Sequence, residues 1–234
     1  MATAARTDKV WYLRRVDFFS RVDEQEMRSI ADRTTMREVH RGGVILQPDE
    51  SPEMVYVVKE GRVKVSRYSP EGKEQILALL EPGDLFGELA LVAGREPVHV
   101  EAFEESLVCG IRGEDFLAMI RRQPELMLQV IRHLAERLRV AEEEIADLAF
   151  RNVPGRLASL LLRLAQAYGR HMPEGQRLAL RLTHQDMAAM IGATRETVTS
   201  VLGRFREDGL IAFDRRFIIV RDPDGLRRIS SSSL

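Results

Sequence analysis

A chain of 234 residues with 44% hydrophobic and 30% charged residues has the balance of an ordinary globular protein and the length for two domains. No apolar run reaches membrane-spanning length and residues 1–10 carry no signal-like stretch, so a cytoplasmic location and no membrane partner are expected. The net charge of −1 hides an asymmetry: residues 1–149 hold 21 Lys and Arg against 28 Asp and Glu (net −7), and residues 150–234 hold 14 against 8 (net +6).

The C-terminal part is therefore the one suited to meet phosphates. The single cysteine, Cys109, excludes an intrachain disulfide and any multi-cysteine metal site, and its apolar neighbours mark it as a core residue. Residues 23–33 predict a helix, with Asp23 and Glu26 spaced as a capping box. Short β-prone segments follow at 44–46, 54–58, 62–68, 75–80, 98–102 and 107–111, divided by turn signals such as Gly42-Gly43 and Pro82-Gly83-Asp84. Strands this short and this evenly punctuated predict a sandwich or barrel.

Residues 124–150 then predict one long helix. Met127, Ile131, Leu134, Leu138, Ala141, Ile145 and Leu148 recur alternately 4 and 3 residues apart, the a and d positions of a heptad seam. Glu136, Arg137, Arg139, Glu142 and Glu143 flank the seam and leave little other apolar face. A helix of this kind is expected to pair with a second copy of itself, giving a homodimer that holds two C-terminal parts side by side. Asn152 and Pro154 offer the cap and first-turn proline of a new helix over 155–168, and residues 169–176 read as a polar loop.

Thr183 caps a helix through 185–191, Gly192 breaks it, and Thr194 caps a second helix from Arg195 to about Asp208. On the second helix Val198, Val201, Leu202 and Phe205 share one face, and Arg195, Glu196, Thr199, Ser200 and Gly203 the other. The layout is a helix-turn-helix whose exposed N-terminal residues suit base edges, Arg195 as a donor to guanine and Glu196 as an acceptor from cytosine. Residues 210–213 and 217–220 flank Asp214-Arg215-Arg216 as a hairpin wing, with Arg215 and Arg216 placed for phosphate. Thr183, His184 and Gln185 complete the expected double-stranded DNA surface.

These residues resemble the cyclic-AMP receptor protein/FNR family of bacterial transcription regulators. Leu182-Thr183-His184-Gln185-Asp186-Met187-Ala188, Gly192-Ala193-Thr194-Arg195-Glu196-Thr197-Val198 and Gly209-Leu210-Ile211 are similar to its winged-helix signature. Leu148-Ala149-Phe150 with Gly155-Arg156 resembles its hinge, and Pro82 through Ala90 its effector cassette. The resemblance covers roughly residues 16–222. It implies an α+β chain: a cyclic-nucleotide-binding-type β-roll sensor domain (1–123), a coiled-coil dimerisation helix and hinge (124–151), and a winged helix-turn-helix (152–222) that contacts RNA polymerase as well as DNA. Residues 223–234, with four serines in a row, are expected to be a flexible tail.

The effector pocket implied by the resemblance comprises Gly87, Glu88, Leu89, Ala90, Arg95, Glu96, Pro97, Ala141 and Glu142. Members that bind cyclic AMP carry an Arg-Ser/Thr pair for the cyclic phosphate, and Glu96 and Pro97 fall at those positions. Ala141 and Glu142 replace hydroxyl residues that meet the base. A carboxylate repels a phosphate, and Arg95, one residue away, reaches the site only through a bulge. DNA binding independent of cyclic AMP is the expectation, with the same regulator gated by cyclic AMP, another small ligand or redox state as the alternative. No cofactor or metal is expected, because one cysteine cannot hold an iron-sulfur cluster and His40, His99, His133, His171 and His184 are scattered singles. No nucleophile-base cluster or P-loop marks an enzyme.

Overall fold

The computed structural model describes residues 24–48, 54–94 and 97–231, together with Val10, Phe19 and Val22. The chain divides into two compact units, Met1–Arg67 with Leu77–Leu138, and Tyr68–Ile76 with Arg139–Leu234.

In the first unit, α1 (Glu24–Arg33) is the first element described in full, and its expected cap Asp23 lies outside the described residues. Strands β1 (Thr34–Val39), β2 (Val44–Leu46), β3 (Met54–Glu60), β4 (Val63–Tyr68), β5 (Glu74–Leu80), β6 (Leu85–Phe86), β7 (His99–Ala102) and β8 (Ser106–Arg112) follow. Helix α2 (Glu88–Ala93) interrupts them, and α3 (Gly113–Arg122) closes the series. The strands form two four-stranded sheets, ordered β1-β8-β3-β6 and β2-β7-β4-β5.

The period of two along each strand sorts side chains between two cores. Val58, Val63, Val65, Val100 and Val108 meet between the sheets. Val55, Val57, Cys109 and Ile111 face the other way and pack with Met27 and Ile30 of α1, Phe116 and Met119 of α3, and Leu126 and Val130 beyond it. Each side chain so buried contributes roughly 1.5–3 kcal/mol. Gly61 fits the β3–β4 turn because it stands at φ 75° and a Cβ there would lie 2.2 Å from the Glu105 carbonyl oxygen. Strand β1, absent from the sequence expectation, pairs with β8 over six residue pairs from Thr34↔Ile111 to Val39↔Ser106. Only its end residues are fully buried, so no alternation marks it.

Helix α4 (Pro124–Phe150) matches its predicted span and crosses the division between the units. Its fully buried residues are Leu126 and Val130, both in its first two turns. Helix α5 (Val153–Tyr168) starts as predicted: the Asn152 side chain accepts from the Gly155 amide at 2.9 Å, and Pro154 lies in the first turn. A polar cluster joins α4 to α5. The Ser159 hydroxyl donates to Asp147 Oδ2 at 2.8 Å, and Arg163 Nη1 donates to the same oxygen at 3.1 Å. Arg151 reaches Asp147 Oδ1 at 3.0 Å. Nearby, burial pushes the Glu144 carboxyl up to about 7 against the pull of Arg163.

The rest of the second unit is β9 (Gly169–Met172), β10 (Gly175–Leu178), α6 (His184–Ile191), α7 (Arg195–Glu207), β11 (Ile211–Asp214), β12 (Phe217–Val220) and α8 (Pro223–Ser230). Its strands form one sheet, β11-β12-β10-β9. Two sequence expectations are corrected here. The loop expected over 169–176 is the β9–β10 hairpin, which pairs Gly169↔Leu178 through Met172↔Gly175 and gains a place in the sheet through β12. The tail expected to be flexible from residue 223 instead forms α8. Asp222 caps it by accepting from the Gly225 amide at 2.9 Å, Pro223 fills its first turn, and it packs against α5 with Leu226 fully buried.

Leu226→Ala is therefore expected to destabilise the second unit by roughly 2–5 kcal/mol in urea unfolding, while Ser231→Ala, at an exposed site just past the helix, has no measurable effect. Equal stability of the two variants would show that α8 adds nothing to the fold.

Candidate nucleic-acid interface and effector-like turn

The helix-turn-helix is fixed at both starts by threonine caps. Thr183 Oγ1 accepts from the Asp186 amide at 3.0 Å while Asp186 Oδ2 accepts from the Thr183 amide at 2.8 Å, a reciprocal capping box. Gly192 ends α6 at φ 63°, and Thr194 Oγ1 accepts from the Thr197 amide at 3.2 Å to start α7. Met187, Ala188, Ala189 and Ile191 of α6 are buried, as are Val198, Val201, Leu202 and Phe205 of α7. Of the predicted exposed set, Arg195, Glu196, Thr199 and Ser200 stand outside and Gly203 is half-buried, and an open cleft is lined by Thr183, His184, Gln185 and Arg195.

Two of these side chains bond each other. The Thr199 hydroxyl donates to the Arg195 carbonyl at 2.8 Å, so its oxygen accepts from His184 Nδ1 at 2.7 Å. That assigns the His184 proton to Nδ1. Thr199 is thus committed within the protein, and the groups left for a base are Arg195, Glu196 and Ser200.

The wing turns through Asp214-Arg215-Arg216-Phe217, with Asp214 opposite Phe217. Arg215, at φ 53°, is the one non-glycine residue with positive φ among the described residues. Both wing arginines are exposed. Behind them Arg177 Nε lies 3.2 Å from Asp214 Oδ2, with its guanidinium 3.9 Å from the Phe217 ring centre. Arg181, in the loop before α6, lies 5.8 Å from the same ring centre. Nothing local in the sequence marks Arg177 or Arg181, because Asp214 and Phe217 sit more than thirty residues away in the chain.

The effector-like residues are only partly gathered. Gly87 holds φ 85°, and a Cβ there would lie 2.8 Å from the Met54 carbonyl oxygen, so the turn requires glycine. Glu88 behind it is 4% exposed, accepts from Arg137 Nη1 at 3.2 Å through Oε1, and has no hydrogen-bond partner at Oε2 among the described residues. Burial pushes its carboxyl up, with Arg137 pulling the other way. Beside it His133 Nε2 donates to the Leu85 carbonyl at 3.2 Å, and Nδ1 lies 3.5 Å from Asp84. Leu89 is exposed, Ala90 buried and Pro97 half-buried, while Arg95 and Glu96 lie outside the described residues. Ala141 and Glu142 are exposed on α4 and belong to the second unit. In the sequence the cation nearest this turn is Arg95, which lies outside the described residues. The structure supplies one in Arg137, 49 residues along the chain from Glu88.

The heptad residues divide. Leu134 is half-buried against the first unit's core, whereas Met127 (43%), Ile131 (53%), Leu138 (61%), Ile145 (66%) and Leu148 (48%) are exposed, as is Ala141. No helix among the described residues is long and apolar enough to cross a membrane.

Comparison with known proteins agrees with this layout. Residues 36–123 match the cyclic nucleotide-binding domain family and residues 155–229 the Crp-like helix-turn-helix domain family. A CRP-like cAMP-activated global transcriptional regulator of Mycobacterium tuberculosis is 30% identical over 217 residues, 92% of this chain and 97% of that protein. The global nitrogen regulator of Synechocystis is 35% identical, covering 80% of this chain and 84% of that protein. Among solved structures, a CRP/FNR family transcriptional regulator from Thermus thermophilus shares 29% identity at a TM-score of 0.71, over 85% of this chain and 99% of that one. A CooA mutant from Carboxydothermus hydrogenoformans shares 27% at 0.75, over 86% and 89%. These relatives are regulators rather than enzymes, and with its β-roll, long helix and winged helix-turn-helix the chain belongs to the CRP/FNR family of transcription regulators.

Proposed function

We propose that the protein is a cytoplasmic, homodimeric transcription activator that binds a palindromic promoter site and contacts RNA polymerase, and that it does so without cyclic AMP. The observation that carries DNA reading is the α7 N-terminus: Arg195, Glu196 and Ser200 exposed on one face, with Val198, Val201, Leu202 and Phe205 buried on the other. Thr183, His184, Gln185, Arg215 and Arg216 supply phosphate contacts around it, and Thr199 acts by orienting His184. Enrichment of a palindrome from random-sequence DNA tests the whole reading, and recovery of no preferred sequence would end it. Arg195→Ala and Glu196→Ala should each weaken binding by about 1–3 kcal/mol and relax preference at one base pair. Equal loss on every sequence would move these residues from base to backbone contact.

Dimerisation through α4 follows from the seam. A monomer leaves Ile131, Leu138 and Ile145 more than half exposed on one stripe. Leu134 partly serves the first unit's own core, so the sharper test lies at Leu138 and Ile145, which the protomer does not bury. Glutamates at both positions should give folded monomers by sedimentation and abolish palindrome binding, because a dimer would have to bury four unpaired carboxylates. A double variant that stays dimeric would exclude this seam.

Independence from cyclic AMP rests on charge. A cyclic phosphate enters a buried pocket only against a cation free to bond it. Arg137 is committed to Glu88, and Glu96 and Pro97 stand where the family's nucleotide binders carry their phosphate pair. The protein should show no micromolar binding of cyclic AMP by calorimetry, and equal DNA affinity with and without it. A large gain in DNA affinity on adding the nucleotide would overturn this. One observation favours gating by some other small ligand: buried Glu88 Oε2 has no hydrogen-bond partner among the described residues, so a hydroxyl or amine donor would be satisfied there.

A further inference from the structure

The second unit carries more positive charge around its wing than the helix-turn-helix accounts for. Four arginines gather there: Arg177 on β10, Arg181 in the loop from β10 to α6, and Arg215 and Arg216 in the wing turn. One carboxylate, Asp214, stands among them, and Arg177 engages it at 3.2 Å. Among the described residues no acidic side chain forms an ion pair with Arg181, Arg215 or Arg216, and all three are exposed. The guanidiniums of Arg177 and Arg181 both lie over the Phe217 ring, at 3.9 Å and 5.8 Å from its centre. An aromatic face holds a guanidinium in place without neutralising it. Leu180, just before Arg181 and 1% exposed, anchors the loop. Thr183, the cap of α6, follows two residues later.

We infer that Arg181, resting on Phe217, is a further contact to the phosphodiester backbone of duplex DNA, bridging the wing and the start of the helix-turn-helix, and that Arg177 is a positioning residue which keeps Asp214 from repelling that backbone. The guanidinium fork matches phosphate oxygens, and a cation held by an aromatic ring keeps its full charge for the ligand. Without Arg177, the Asp214 carboxylate would stand unpaired next to two arginines meant for phosphate. The backbone of the turn points the same way. Arg215 occupies the left-handed region that glycine or asparagine adopts with less strain, and it places an arginine at the corner of the wing.

The inference rests on the DNA-reading proposal, and the experiment separates the two. Binding is measured by fluorescence anisotropy over a range of salt, on the palindrome selected by the unmodified protein and on a scrambled duplex. Arg181→Gln should weaken binding by about threefold or more, by the same factor on both duplexes, and lower the slope of log affinity against log salt by about 0.9 per protomer. Phe217→Leu should reproduce part of that loss. Arg177→Gln should also weaken binding, and adding Asp214→Asn should restore it, an outcome that simple loss of packing at Arg177 would not give. An unchanged salt slope for Arg181→Gln, with the thermal melt intact, would overturn the phosphate contact. Failure of Asp214→Asn to rescue Arg177→Gln would overturn the positioning role. If the unmodified protein binds neither duplex, the DNA-reading proposal itself falls, and this inference with it.

Discussion

A helix of 27 residues can give its own domain only one stripe, and in α4 that stripe ends early. Leu126 and Val130 are buried with the α1 and α3 side chains on the sheet, and Leu134 is the last residue to lean on that core. Beyond it Leu138, Ile145 and Leu148 continue at heptad spacing and stand exposed among the described residues. The hydrophobic effect scales with the area left wet, so five exposed large side chains on one line are an unmet demand for a partner surface. The proposed dimer answers that demand, and a two-fold symmetric DNA site follows from it as a matter of symmetry.

The two candidate sites are built on different physical terms. The DNA-facing surface is pre-organised by short local interactions: two threonine caps, a left-handed glycine, and a histidine-threonine hydrogen bond. Such contacts join residues three to fifteen apart and leave charges outside, in water. The effector-like turn is organised by long-range burial, with Glu88 and Asp84 pushed up by desolvation and met from α4 by Arg137 and His133. A buried ion pair that leaves one carboxylate oxygen without a partner is poorly stabilised as it stands.

That difference also decides what could be read in the sequence. Caps, the heptad and the amphipathic face of α7 are periodic or local, so Thr183, Asn152, Ile145 and Val198 could be placed from spacing alone. Strand β1 could not, because its buried residues are Thr34 and Val39 at the two ends, and partial burial of Met36 leaves no alternation. Helix α8 was hidden by its shortness: eight residues beside a serine run offer only Leu226 and Ile229 as an apolar face, although Asp222 and Pro223 form a cap and first-turn proline that the sequence displays. The Glu88–Arg137, Arg177–Asp214 and Arg181–Phe217 contacts are tertiary. No residue type at either end announces the other.

The cluster around Asp147 has a consequence for how the sequence can drift. One carboxylate serves Ser159, Arg163 and Arg151, and Arg163 also faces Glu144, so these groups share partners and their energies do not add. Replacing Asp147 alone takes the carboxylate from Arg151 and leaves Arg163 with Glu144 and Ser159, whereas losing Ser159 removes one donor of three. The positions are therefore coupled: a change at 147 alters what the side chains at 151, 159 and 163 contribute. Descent at the joint between α4 and α5 is constrained in sets rather than residue by residue, and a substitution harmless in one member of the family can be damaging when transplanted singly into this one.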